Sequence, residues 1–190
     1  MNELIILYWL TCYVAGNFMT AFIVGKWYRV DLRQQKSRNL GARNAGRVLG
    51  RLAFVITLLG DALKGILVII LGQVMDFEQW ILAIGMLFVI VGHLYPVFLS
   101  FHGGKGVATF IGAGLYLEPI LFIWMIVGTL LLFIFVRNLT VGMLGGFTLY
   151  IASIIWEGNM HTYSGVILSI CLIIWKHRSN LSRINGLSNQ

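Results

Sequence analysis

The chain has 190 residues, 58% of them hydrophobic and 11% charged, with a formal net charge of +7 and a mean hydropathy of +0.85. Soluble domains carry about 25% charged residues, so this balance excludes a soluble enzyme or a nucleic-acid-binding module and defines an integral membrane protein. Apolar runs take up most of the length, which leaves residues 1–190 as a single polytopic membrane domain.

The first apolar run, residues 4–25, is long enough to span. It lacks the basic flank of a signal peptide, so it is expected to be retained. A polar stretch, 26–51, follows. Residues 52–71 form a second span, closed by an acidic turn with Asp76 and Glu78. The third run opens at Trp80 and passes His93 and Pro96 to reach about Phe101. There the sequence breaks into Gly103, Gly104, Lys105 and Gly106. Residues 107–117 come next, too short a run to cross a core of about 30 Å. The glycine turn is therefore expected below the headgroups, where irregular backbone survives only against a cavity or packed protein. Glu118 and Pro119 end that segment, and runs 120–136, 139–156 and 161–175 precede a basic tail from Lys176. The reading is an all-α integral membrane protein with seven transmembrane or near-transmembrane helices.

Placing the polar stretch, the glycine turn, Arg137 and the tail on one side gathers every lysine and arginine there except Lys64, which lies within the second span. Glu3, Asp76, Glu78, Glu118 and Glu157 fall on the other. The positive-inside rule then predicts an N-terminus outside and a cytoplasmic C-terminus. No internal repeat or inverted symmetry is visible, which argues against a carrier. Cys12 and Cys171 read as small core residues, and the six tryptophans as interface anchors. Asp61 and Lys64 share a helix face; ionised groups at that depth mark function or a structural pair, and the pair is the favoured reading.

Two stretches suit an anion. The glycine turn lets backbone approach a ligand closely, while the first N–H groups of a following helix and the Lys105 ammonium add positive charge. The alternative is a glycine-softened loop with Lys105 at the lipid interface. Residues 37–47, SRNLGARNAGR, interleave hydroxyl, amide and guanidinium donors without the periodicity of an interfacial helix, a pattern that can wrap a small anion. Most of the other cations read as topogenic or as contacts to anionic membrane lipids.

The stretch from His93 to Thr109, HLYPVFLSFHGGKGVAT, closely resembles the second signature of the bacterial acyl-phosphate:glycerol-3-phosphate acyltransferases. Residues 36–47 resemble the first, G-S-G-N-x-G-A-T-N-x-x-R, keeping Ser37, Asn39, Gly41, Asn44 and Arg47. Asp61, Lys64 and Gly65 resemble D-x-x-K-G, and His177, Arg178, Asn180, Arg183 and Gly186 the C-terminal H-R-x-N-x-x-R-x-x-G. Three departures stand out. Arg38 and Arg43 replace a glycine and a threonine, no glutamate follows Gly186, and NLTVG after Arg137 only loosely matches the family's third, serine-bearing loop. The extra guanidinium groups can crowd the pocket, enlarge the anion it takes, or face water.

The resemblance implies an enzyme of phospholipid synthesis in the bacterial plasma membrane. It would move a fatty acyl group from acyl phosphate to glycerol 3-phosphate, giving lysophosphatidate and phosphate at the cytoplasmic face, without metal or cofactor. Its implied partners are these two substrates, membrane lipids, and the enzyme that supplies acyl phosphate; no nucleic acid is involved. Lys105, Arg47, Ser37, His177 and Asn180 are the catalytic candidates. Gly103, Gly104, Gly106, Asn39, Asn44, His93, Thr109 and Arg183 are the candidate substrate or phosphate ligands. Backbone N–H groups from Gly103 to Gly106 are expected to face the phosphates. The base is His177, His93 or a substrate phosphate oxygen, and the resemblance favours the phosphate. Other readings are a non-catalytic relative acting as sensor or scaffold, and an acyltransferase with a different phosphorylated acceptor.

Overall fold

The computed structural model describes residues 2–184, with side chains to residue 179. Among these residues every regular element is helical: α1 (Asn2–Gly16), α2 (Thr20–Trp27), α3 (Ala42–Leu49), α4 (Arg51–Val74), α5 (Gln79–Leu94), α6 (Val107–Leu117), α7 (Pro119–Val136), α8 (Leu139–Trp156) and α9 (Ser164–Ile184), with short 3-10 turns at Leu32–Gln34 and Val97–Leu99. Five described helical stretches are long and apolar enough to cross a membrane: Asn2–Trp27, Arg51–Val74, Gln79–Leu99, Pro119–Val136 and Leu139–Trp156. The helix Val107–Leu117 is as short as expected, and the last apolar run is continuous with the basic tail in α9.

The first run is not one helix. α1 stops at Gly16 and α2 starts at Thr20. Each broken end meets the charge that opposes its dipole. The Lys64 ammonium donates to the Gly16 carbonyl at 3.2 Å and the Phe18 carbonyl at 2.7 Å, at the carbonyl end of α1. Asp61 accepts from the Thr20 hydroxyl at 3.1 Å, at the amide end of α2. Asn17 fixes the gap, its side chain donating to the Tyr13 carbonyl and accepting from the Val97 N–H at 2.6 Å. The polar stretch also differs from the sequence reading. Residues 42–49 coil into the amphipathic α3, which turns Ala45 inward and leaves Arg43 and Arg47 exposed. Gly50, at φ +94°, makes the corner into α4.

Helix α5 is the axis of the bundle, packed against α1, α4, α6 and α9. Helix pairs without a water-driven force between them need close backbone contact, and small residues supply it. A Cβ on Gly92 would stand 3.0 Å from the Gly16 Cα, and one on Gly145 would stand 2.6 Å from the Gly128 carbonyl oxygen in the α7–α8 hairpin. Cys12 is buried as expected, whereas Cys171 lies on the outward face of α9. That corrects its assignment to the core: an exposed position on an apolar helix suits a small apolar residue equally well.

Candidate active site

Helix α5 ends at Leu94, and the chain doubles back upon it. Ser100 and Phe101 take left-handed backbone (φ +50° and +62°), and the Gly103 and Gly104 N–H groups donate to the Leu94 and His93 carbonyls at 3.3 and 3.1 Å. Those two amides are therefore spent on the end of α5, which corrects the expectation that they face a phosphate. The donors that remain belong to α6. Gly106 starts that helix at φ +81° without a side-chain cap, which leaves the N–H groups of its first turn as backbone donors next to the half-buried Lys105 in sequence. Glycine at 104 is a packing requirement. A Cβ there would collide with His93 Nε2 and stand 2.6 Å from the Leu40 carbonyl oxygen, the point where the stretch after Ser37 lies on the turn.

His93 and Thr109 hold the turn from beneath. They are 2% and 0% exposed. The Lys64 ammonium lies 2.8 Å from His93 Nδ1 and 3.1 Å from Asp61, and the Thr109 hydroxyl lies 3.3 Å from the same Nδ1. An ammonium only donates, so Nδ1 accepts and the ring proton sits on Nε2, the atom facing Gly104. The Asp61–Lys64 pair forms as its spacing predicts, and it joins the break in the first helix to the floor of the glycine turn.

The segment before α3 is stapled by Asn44. This buried amide accepts from the Ser37 N–H and hydroxyl at 3.1 and 3.0 Å and donates to the Leu32 and Gln35 carbonyls at 3.0 and 3.2 Å. With both donors and its acceptor oxygen engaged, Asn44 positions Ser37. Ser37 is exposed, and since its proton is committed to Asn44 it offers lone pairs. Asn39 is half-buried and folds over Gly41, while Arg47 is exposed on α3.

Helix α9 closes the site. Gly106 packs toward Ile173, 3.5 Å from a Cβ at that position. One turn on, His177 Nδ1–H donates to the Ile173 carbonyl at 2.8 Å, so the neutral ring carries its lone pair on Nε2. Burial holds this imidazole below the usual histidine range; the Ile173 carbonyl opposes the shift, and the Lys105 and Arg43 cations add to it. The Lys176 ammonium sits 4.0 Å over the Tyr95 ring, fastening α9 to the end of α5. The side chains of Asn180 and Arg183, and all of Gly186, lie outside the described residues.

The profile of the glycerol-3-phosphate acyltransferase family matches residues 6–186. The chain belongs to the glycerol-3-phosphate acyltransferase family. Among its relatives, "Glycerol-3-phosphate acyltransferase 1" of Bacillus thuringiensis subsp. konkukian is 34% identical over 94% of this chain and 99% of its own. "Glycerol-3-phosphate acyltransferase" of Thermus thermophilus is 34% identical over 92% and 88%. The crystal structure of PlsY, an integral membrane glycerol 3-phosphate acyltransferase in its glycerol 3-phosphate form, superposes with a TM-score of 0.87 at 29% identity, over 96% of this chain and 92% of that one. Its lysophosphatidic acid form gives 0.85 at 28% identity.

Against the acyltransferase pattern, the departures in the first signature acquire geometry. Lys36 and Arg38 occupy its two leading glycine positions and both take left-handed backbone, φ +48° and +56°, where a side chain costs roughly 1 kcal/mol relative to glycine. Arg43, at the acyltransferases' threonine, donates to the Thr140 hydroxyl at 3.3 Å and so ties α3 to α8. Sequence reasoning missed Asn17, Thr20 and Thr140. The signal for the first two was polar side chains inside an apolar run; for Thr140 it was the NLTVG stretch itself, whose partner the sequence did not give.

Proposed function

We propose that this protein transfers a fatty acyl group from acyl phosphate to position 1 of glycerol 3-phosphate, giving lysophosphatidate and inorganic phosphate at the cytoplasmic face of a bacterial plasma membrane. The observation that carries this reading is that the glycine turn before α6 packs against the Leu40 carbonyl, in the stretch between Ser37 and α3, and against Ile173 of α9, whose carbonyl accepts from His177. In the chemistry that follows, the acceptor hydroxyl oxygen attacks the acyl carbonyl carbon, and the C–O bond to phosphate breaks with its electron pair leaving on phosphate. The hydroxyl proton passes to a phosphate oxygen or to His177 Nε2. Acyl phosphate is already activated, so positioning and charge supply the acceleration. Holding the hydroxyl within about 3–3.5 Å of the carbonyl contributes several kcal/mol, and each well-placed donor to the developing oxyanion contributes about 10²–10³ in rate. Lys105, Arg47 and the α6 amides neutralise the phosphates, while the Ser37 lone pairs orient the glycerol; Asn39, Asn180 and Arg183 complete that set.

The topology proposed with this function has seven crossing or near-crossing segments, N-terminus outside and C-terminus cytoplasmic, as the charge asymmetry requires. The acyl phosphate would be delivered by the enzyme that makes it. Phosphate release from palmitoyl phosphate by the purified protein, with and without glycerol 3-phosphate, tests the whole reading. Acceptor-dependent release that Lys105→Ala and Arg47→Ala abolish supports it. Folded protein without such release refutes it and favours a non-catalytic phosphate-binding relative.

A further inference from the structure

The substitution of arginine for threonine at position 43 does more than add charge at the surface. We propose that Arg43 is a specificity-determining phosphate ligand that forms, with Arg47, a two-guanidinium clamp for a substrate phosphate; this rests on the acyltransferase reading above.

The geometry supplies three arguments. Arg43 and Arg47 are four residues apart on α3 and therefore share its outward face. Like charges so placed repel each other, and residues 36–51 hold Lys36, Arg38 and Arg51 besides, with no acidic side chain to offset them. Two carboxylates flank this segment in sequence, and both are engaged: Asp31 pairs with Arg33 at 2.9 Å and Asp61 with Lys64 at 3.1 Å. Such a face is stable when an anion lies between the two cations. Second, the hydrogen bond to Thr140 reaches 97 residues along the chain and fixes the direction of the guanidinium while using one of its five donors. Third, the pairing joins two of the places where this chain departs from the acyltransferase signatures, Arg43 at the threonine of the first and the loosely matching NLTVG stretch that holds Thr140. The ligand is a phosphate monoester or an acyl phosphate, and the two are separated kinetically.

The test compares wild type with Arg43→Thr, Arg43→Lys and Thr140→Val. Arg43→Thr should raise the KM of one substrate about tenfold, the loss of one charge-assisted contact, with a smaller change in kcat. The KM that moves, for glycerol 3-phosphate or for palmitoyl phosphate, names the substrate held. Arg43→Lys should recover only part of the loss, because an ammonium has no fork, and Thr140→Val should weaken the same substrate about threefold. Inorganic phosphate affinity, measured calorimetrically on the same samples, should fall in Arg43→Thr whether or not the protein turns over. Unchanged phosphate affinity and unchanged KM values, with only a lowered melting temperature, would reduce Arg43 to a strap between α3 and α8 and overturn the inference. Absence of wild-type turnover would count against the acyltransferase reading, while the phosphate titration would still decide on Arg43.

Discussion

Replacing Lys64 with Met removes the ammonium 3.1 Å from Asp61 and strips the Gly16 and Phe18 carbonyls of their donor. Asp61 is 1% exposed, and deleting one partner of such a pair costs about 3–5 kcal/mol. The two carbonyls add about 1 kcal/mol each when left unpaired. Lys64→Met should therefore destabilise the fold by about 5–7 kcal/mol, and Asp61→Asn with Lys64→Met should regain about 3–4. Reversible unfolding in mixed micelles, titrated with a denaturing detergent, measures both. Equal deficits for the single and double variants would refute the argument that an orphaned carboxylate dominates.

Gly104→Ala forces a Cβ against His93 and the Leu40 carbonyl; the turn must open, lowering turnover about 10²-fold by misplacing Lys105 at a stability cost of about 1–3 kcal/mol, with phosphate release and melting followed together. Asn44→Ala leaves the Leu32 and Gln35 carbonyls and the Ser37 donors without their partner. It should cost about 1–3 kcal/mol and raise the KM for glycerol 3-phosphate, whereas a substitution with normal KM and normal melting would show that Ser37 needs no staple. His177 is held below the usual histidine range, chiefly by burial. Its contribution to stability is thus fully present above about pH 6.5 and fades as pH falls below that value. Wild type should lose stability between pH 7.5 and pH 5 more steeply than His177→Gln, and parallel pH profiles in detergent melts would contradict the assignment.

Much of this protein follows from its sequence alone. The lengths of the apolar runs and their charged borders are chain properties, because the membrane sets a fixed thickness for each crossing and a fixed sign for each side. The glycine–lysine turn, the short helix after it, and the Asp61–Lys64 pair were all legible for the same local reason. Tertiary structure decided which groups remain available. Gly103 and Gly104 read as anion donors until the end of α5 claimed their amides. Asn44, His93 and Thr109 read as ligands in the sequence pattern, and the fold gives each of them partners inside the protein. At the break near Asn17, Lys64 and Asp61, more than forty residues away, meet the two helix ends, and Arg43 acquires its direction from Thr140, 97 residues on. A sequence pattern lists the donors and acceptors a chain carries. Which of them reach a substrate depends on which are already satisfied inside the fold, and that depends on contacts between residues far apart in the chain.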